Sequence, residues 1–309
     1  DSGVGSDAVA VLNLIKQEQA EMDLHQGDMG YGAEDTASAN TWISMINAAF
    51  PADYPYFFSI GNHDEKAWST YQGFLNNRVA SVPGLKCKGD LGVSSACTYE
   101  GLYFLLLGTG TLGSGHDLYI RDQLAADNSI WSICSWHVNQ AKMQVGGKLD
   151  EAGWASYEEC RIGGGIIATG HEHSYSRTHL INDFDAPSGP SVADTSNTLV
   201  LSKGETFGFV SGLGGKSVRT QSRPDDVWWA SIYTATQGAT HGALFCTFNI
   251  DGQPEKANCY FKDIAGKIVD QFTLISMVED SFGAIPSDAP SVFTISSLPR
   301  LYLYQDADN

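Results

Sequence analysis

The chain has 309 residues, 42% hydrophobic and 17% charged, which is an ordinary globular composition with room for one large core or two modest ones. A formal charge of −18 excludes a general binder of nucleic acid or of anionic membrane, since both need a basic face. No apolar run approaches the roughly 20 residues of a membrane span, and no signal-peptide pattern precedes the abrupt start at Asp1.

After Asp1-Ser2-Gly3, the spacing of Val9, Val11, Leu12, Leu14 and Ile15 predicts a helix, with Asp7 as its cap. A short connection through residues 22–26 reaches Gly27-Asp28-Met29-Gly30-Tyr31. A second helix carries Trp42, Ile43, Met45, Ile46 and Phe50 on one face, and Pro51 and Pro55 frame its end. The strand Tyr56-Phe57-Phe58-Ser59-Ile60 then runs into Gly61-Asn62-His63-Asp64.

A loop-rich interval holding Cys87 and Cys97 leads to a strand over Leu102–Leu107, a helix over residues 118–126, and a strand over 130–136 ending at His137. A helix near 151–160 precedes the strand Ile166–Thr169, which opens into Gly170-His171-Glu172-His173 and the polar loop Ser174-Tyr175-Ser176-Arg177. Strand, loop and helix thus alternate about four times, which argues for an α/β core. Asp28, Asn62, His137 and His171 each follow a predicted strand, and such sheets collect their sites at the carboxyl ends of strands.

From about residue 197 only strands are predicted: 198–202, 208–211, 243–249, 258–262 and 269–275, read as a second sheet layer of the same domain. Residues 183–197 read as a surface loop. The tail from Glu279, with Pro286, Pro290 and Pro299, reads as a linker followed by a strand over 301–304.

Six cysteines fall into three near neighbours, Cys87/Cys97, Cys134/Cys160 and Cys246/Cys259, although six allow about fifteen pairings. The last pair brackets a strand running into Asp251-Gly252, which fits a cross-hairpin bridge. A zinc cluster competes, but no Cys-x-x-Cys occurs, so an oxidising, extracellular compartment is favoured.

Two imidazoles two residues apart at a strand's exit can aim at two neighbouring cations, because the turning backbone splays them. Asp1-x-Gly3, Gly27-Asp28-x-x-Tyr31, Gly61-Asn62-His63-Asp64, His137 and Gly170-His171-x-His173 together resemble the ordered clusters of the calcineurin-like metallophosphoesterases. The Tyr three residues after the second Asp is the variant typical of purple acid phosphatases.

The resemblance covers roughly residues 1–275. It implies a four-layer α/β/β/α sandwich of two mixed sheets flanked by helices. It also implies a catalytic domain over 1–278, with its first strand missing before Asp1, and a linker and C-terminal extension over 279–309. It gives Asp28 the role of bridging two metal ions, with Asp1, Tyr31 and His173 on one and Asn62, His137 and His171 on the other. A phenolate suits Fe(III) at the Asp1/Asp28/Tyr31/His173 site, while imidazoles and an amide suit Zn, Mn or Fe(II) at the other. By the same resemblance, His63 binds phosphate or protonates the leaving oxygen, and Asn62 contacts substrate. Tyr175 and Arg177 are candidates for lining the substrate pocket, with a structural role for that loop as the alternative. His137 departs from many relatives in lacking a Pro two residues later, and no further His follows in residues 139–144.

The expected function is a secreted, metal-dependent phosphomonoesterase acting on a small phosphate ester. The alternatives are a phosphodiesterase or nucleotidase with the same site, or a secreted structural or adhesive subunit that retains the domain and meets a partner through its C-terminal extension.

Overall fold

The chain alternates helix and strand through residue 169, and residues 170–278 are then built almost wholly of strands. The structure is a computed structural model in which residues 1–278 are described. In chain order the elements are α1 (Ser6–Gln17), β1 (Asp23–His25), α2 (Thr36–Ala49), β2 (Tyr56–Phe58), α3 (Trp68–Ser81), β3 (Lys86–Asp90), β4 (Ser94–Tyr99) and β5 (Leu102–Leu107). There follow α4 (His116–Ala126), β6 (Trp131–Ser135), α5 (Ala155–Gly163), β7 (Ile166–Thr169), β8 (Tyr175–Thr178), β9 (Leu180–Asp183) and β10 (Ser191–Asp194). The last are β11 (Thr198–Leu201), β12 (Gly208–Ser211), β13 (Trp229–Tyr233), β14 (Gly242–Ile250), β15 (Gln253–Asp263) and β16 (Ile268–Ser276).

The main sheet has eight strands in the order β13-β8-β12-β7-β6-β5-β4-β3, with β5, β6, β7 and β12 parallel and the outer strands antiparallel. Its centre is covered on both sides, so β5 reads Leu-Tyr-Phe-Leu-Leu-Leu and every residue is buried. Leu102, Phe104 and Leu106 belong to the core shared with Phe57, Phe245 and Phe248 of the second layer. Tyr103, Leu105 and Leu107 alternate to the other side, against Ile120 and Leu124 of α4 and Tyr157 of α5. The second layer holds the parallel pair β1-β2 and the sheet β11-β16-β15-β14. Trp42 and Ile46 of α2 pack on it with Tyr56 and Phe58. The architecture is the α/β/β/α sandwich of two mixed sheets.

Several local expectations change. Asp7 does not cap α1: the helix starts at Ser6 after Gly5, no side chain caps it, and Asp7 stands in the first turn, where it faces the positive end of the helix dipole. The interval after Asp64 contains α3, which buries Trp68, Tyr71, Phe74, Leu75 and Arg78, and the hairpin β3–β4. The strands after residue 197 do not all form the second layer, because β12 lies between β7 and β8 in the main sheet and β13 extends it. Residues 183–197 include β10, paired with β9. The strand expected over 301–304, and the linker before it, lie outside the described residues.

Three disulfides join the three near-neighbour pairs. Cys87–Cys97 and Cys246–Cys259 link residues directly opposite each other in antiparallel ladders, so the second is the cross-hairpin bridge. Cys134–Cys160 ties β6 to α5. Among the described residues, no helix is long and apolar enough to cross a membrane.

Candidate metal centre

Four loops meet at one rim of the second layer and the main sheet. Asp28 follows β1, Asn62 and His63 follow β2, His137 follows β6, and His171 and His173 follow β7. Asp1 joins them because Ser2 N–H donates to the Asp28 carbonyl at 3.1 Å and the Asp1 ammonium donates to the Gly27 carbonyl at 3.0 Å.

The loops are knitted by backbone donors aimed at buried carboxylates. Asp64 accepts from the N–H groups of Asp28, Met29 and Gly61 at 2.8, 2.9 and 2.8 Å, which locks the Asp28 and Asn62 loops together. Burial and the nearby Asp28 carboxyl nevertheless push the Asp64 pKa up. Asp28 Oδ1 accepts from His63 N–H at 2.9 Å, and Asp1 Oδ2 accepts from His171 N–H at 2.7 Å. Asp28 and His171 both have positive φ, +57° and +67°, a conformation that costs a non-glycine residue energy and is held here by these bonds. Gly61 is required, since a Cβ there would lie 2.2 Å from Asp28 N and 2.3 Å from Asp28 Oδ1.

Asp28 Oδ2 lies 2.9 Å from the Tyr31 hydroxyl, which is itself 2.9 Å from Asp1 Oδ1 and 3.1 Å from His173 Nε2. The same oxygen lies 3.2 Å from His137 Nε2, which is 3.2 Å from Asn62 Oδ1 and 3.1 Å from His171 Nδ1. Ligand atoms about 2.0–2.2 Å from a shared cation at tetrahedral or octahedral angles stand roughly 2.8–3.6 Å apart. Both donor sets have that spacing, and a single carboxylate oxygen belongs to each. Asp28, His137 and His171 by themselves have the geometry to hold one ion.

The far nitrogens of the rings decide whether a cation fits. His137 Nδ1 meets the Gln26 carbonyl at 2.6 Å and must donate there; His171 Nε2 meets Glu151 Oε2 at 2.7 Å. Assigned from these partners, Nε2 of His137 and Nδ1 of His171 carry bare lone pairs that face each other and the Asp28 oxygen. His173 Nδ1 is held by Ser217 Oγ at 2.7 Å, which leaves its Nε2 towards Tyr31 and Asp1. Bare lone pairs and carboxylate oxygens converging in a buried site repel unless positive charge lies between them, so the donor set fits metal ions.

Electrostatics keep the donors ready. Burial, then the facing His137 and Lys148, lowers the His171 pKa to about 2; burial, then Arg219, lowers His173 to about 3, so both rings are neutral ligands. Burial works to raise the Asp28 pKa, but the His137 ring and the His63 N–H outweigh it and hold the carboxyl low. Burial and Asp28 raise the Tyr31 phenol above its ordinary value, so its ionisation calls for a cation.

Asp1, Asp28, Tyr31, Asn62, His137, His171 and His173 are thus brought together. His63 sits at the mouth, 35% exposed, with Nδ1 2.5 Å from Glu34 Oε1 and Nε2 4.0 Å from Asp28 Oδ2. Tyr175 is not at the site. Residues 175–178 form the fully buried strand β8, and the Tyr175 hydroxyl donates to Asp270 at 2.7 Å while its ring stacks on Phe261. Arg177 pairs with the same carboxylate at 2.6 Å, so Tyr175 and Arg177 share one buried acceptor inside the fold. Glu34, Glu151, Ser217 and Arg219 escaped the sequence reading, because none lies in a motif and each meets the site only through folding. Arg219 joins by donating from Nη1 to the His171 carbonyl at 3.1 Å.

The model of the calcineurin-like phosphoesterase family matches residues 5–175, more than half of the chain. No curated protein is significantly similar in sequence. Among solved structures, purple acid phosphatase PPD1 from yellow lupin (Lupinus luteus) seeds superposes with a TM-score of 0.62 at 17% identity, over 94% of this chain and 52% of that one. This chain therefore spans about half the length of the lupin protein. PhoD gives a TM-score of 0.47 at 13% identity, over 90% of this chain and 72% of that one. The chain belongs to the calcineurin-like phosphoesterases, metal-dependent hydrolases of phosphate esters.

Proposed function

We propose that residues 1–278 form the catalytic domain of a secreted phosphomonoesterase of the purple acid phosphatase type. Asp1, Asp28, Tyr31 and His173 hold Fe(III); Asp28, Asn62, His137 and His171 hold Zn, Mn or Fe(II). The observation that carries this reading is the position of Asp28 Oδ2, within 2.9 Å of the Tyr31 oxygen and 3.2 Å of His137 Nε2, where one atom serves both donor sets. Bound there, the cation pair supplies hydroxide near neutral pH and neutralises phosphoryl oxygens.

The chain's own residues do the rest. Asn62, a member of the second donor set through its Oδ1, also contacts substrate. His63 Nδ1 is engaged by Glu34, which leaves Nε2 to deliver a proton to the leaving oxygen. Lys216 Nζ stands 4.3 Å over the Tyr31 ring and adds positive charge at the entrance for an anionic substrate. Three disulfides support an oxidising compartment.

Elemental analysis with a visible spectrum tests the metal assignment, because phenolate-to-Fe(III) charge transfer from Tyr31 colours the protein. Turnover of an aryl phosphate that survives Asp28→Ala or His171→Ala removes the site assignment. An aryl phosphate diester cleaved faster than the monoester removes the substrate assignment.

A further inference from the structure

Glu172 separates His171 from His173, and it is buried, with 1% of its surface exposed. The neighbouring backbone makes room for it. A Cβ on Gly146 would lie 2.1 Å from the Glu172 Cδ, and one on Gly212 would lie 2.0 Å from the Glu172 carbonyl oxygen. A carboxylate in such a place is costly unless a cation faces it. Among the described residues one does: Arg219 Nη1 stands 3.3 Å from Oε2, while Oε1 has no hydrogen-bond partner.

Arg219 is tied to the same turn at two more points. Its Nη1 donates to the His171 carbonyl at 3.1 Å, and its backbone N–H donates to the His173 carbonyl at 3.0 Å. One residue thus grips three consecutive positions, 171, 172 and 173. The grip is anchored, because the Arg219 carbonyl accepts from Ala235 N–H at 2.8 Å, just beyond the edge strand β13.

His171 needs such a hold. Its φ is +67°, and a non-glycine residue keeps a left-handed conformation only where its surroundings over-determine it. Asp1 Oδ2 takes its N–H at 2.7 Å, and Arg219 takes its carbonyl.

We propose that Arg219 is a positioning residue for both donor sets, acting through its ion pair with Glu172. The inference rests on reading His171 and His173 as ligands of two ions. The buried charge between the two ligands is neutralised only while the turn holds the conformation that aims both rings. With Arg219 gone, the carboxylate has to move towards water. Both ligands are its chain neighbours, so that movement turns both rings at once.

The test measures the affinity of the metal-free protein for two zinc ions by competition with a chelator. Arg219→Met is expected to weaken both about 100-fold, and Arg219→Lys, which keeps the charge, about tenfold or less. Adding Glu172→Gln to Arg219→Met should recover about tenfold, since no carboxylate is then stranded. In the metal-free proteins the His171 and His173 imidazole resonances should shift in Arg219→Met and move back in the double variant. Should Arg219→Met not fold, Arg219→Gln with and without Glu172→Gln carries the same comparison. Unchanged affinity in the single variant overturns the proposal. So does a double variant no better than the single, which would leave Arg219 a merely structural role. Wild-type protein that takes up no zinc removes the ligand reading instead. The metal-free rings then decide the proposal alone, and rings unmoved by Arg219→Met overturn it.

Discussion

The two donor sets share the loop after β7, which carries His171 for one and His173 for the other, but their remaining ligands stand on very different backbone. His137 and His171 follow β6 and β7, adjacent central strands of the eight-stranded sheet, each paired on both sides. Their loops are tied directly, by Gly170 N–H to the His137 carbonyl at 3.1 Å and Asn139 Nδ2 to the Gly170 carbonyl at 2.7 Å. Asp1 and Tyr31 have no such support. Asp1 is held by individual hydrogen bonds to Gly27, Tyr31, His171 and Lys216, and Tyr31 lies in the long connection between β1 and α2. Rigid central strands preorganise a ligand pair before any ion arrives, whereas a side held by scattered bonds depends on the ion and on neighbouring loops for its geometry.

The sharpest break of this comparison is Asp28→Asn, which alters the one oxygen common to both sides. Turnover of an aryl phosphate should fall by roughly three orders of magnitude or more, with both ions lost in elemental analysis. Retention of one ion would mean the oxygen is not shared. Next, Asp1→Ala and His137→Ala should each abolish most activity but differ in what remains: the first should lose colour and keep the ion beside His137, the second the reverse. If both variants lose both ions equally, the two sides do not differ in support.

Cutting the Cys134–Cys160 bridge with a double serine substitution probes the sheet that carries His137. A closed loop of this length contributes about 3 kcal/mol, so Tm should drop by several degrees while colour persists. A smaller effect is expected from Glu151→Gln, which weakens the hold on His171 Nε2. Affinity for the ion on that side should fall about 10–100-fold, read by competition with a chelator, with the Tyr31 side unchanged.

The mildest test is titration of the metal-free protein by imidazole proton NMR. His171 and His173 should stay neutral down to about pH 4, given their lowered values of about 2 and 3. Because the unfolded chain takes up these protons near the ordinary value of about 6.5, their contribution to stability is complete above that pH and drains as the pH falls towards 3. A ring that titrates near 6.5 in the folded protein would show that its environment is open water.

The chemistry-bearing clusters were legible because each combines a strand's end with residue types that few other roles demand: Gly-Asp, Gly-Asn-His, Gly-His-x-His. The central strands were legible for a related reason, since an unbroken apolar run such as 102–107 has few places to go except between two covered faces. Helix α3 left a readable trace in Trp68, Tyr71, Phe74 and Arg78, but its exposed face of Gln72, Gly73, Asn76 and Asn77 looks like loop. Strand β8 left none, because Tyr175 and Arg177 become buried only by sharing Asp270, 93 residues beyond Arg177.

Local order therefore settled the element types of the α/β half, the ligand types and the rim on which they lie, since periodicity and motif spacing are properties of neighbouring residues. Tertiary structure alone decided which sheet β12 and β13 join, which nitrogen of each imidazole faces inward, and that Glu34 and Glu151 stand behind His63 and His171. Those outcomes depend on contacts between residues 20 or more positions apart, whose free energies come from packing and pairing that no short stretch contains.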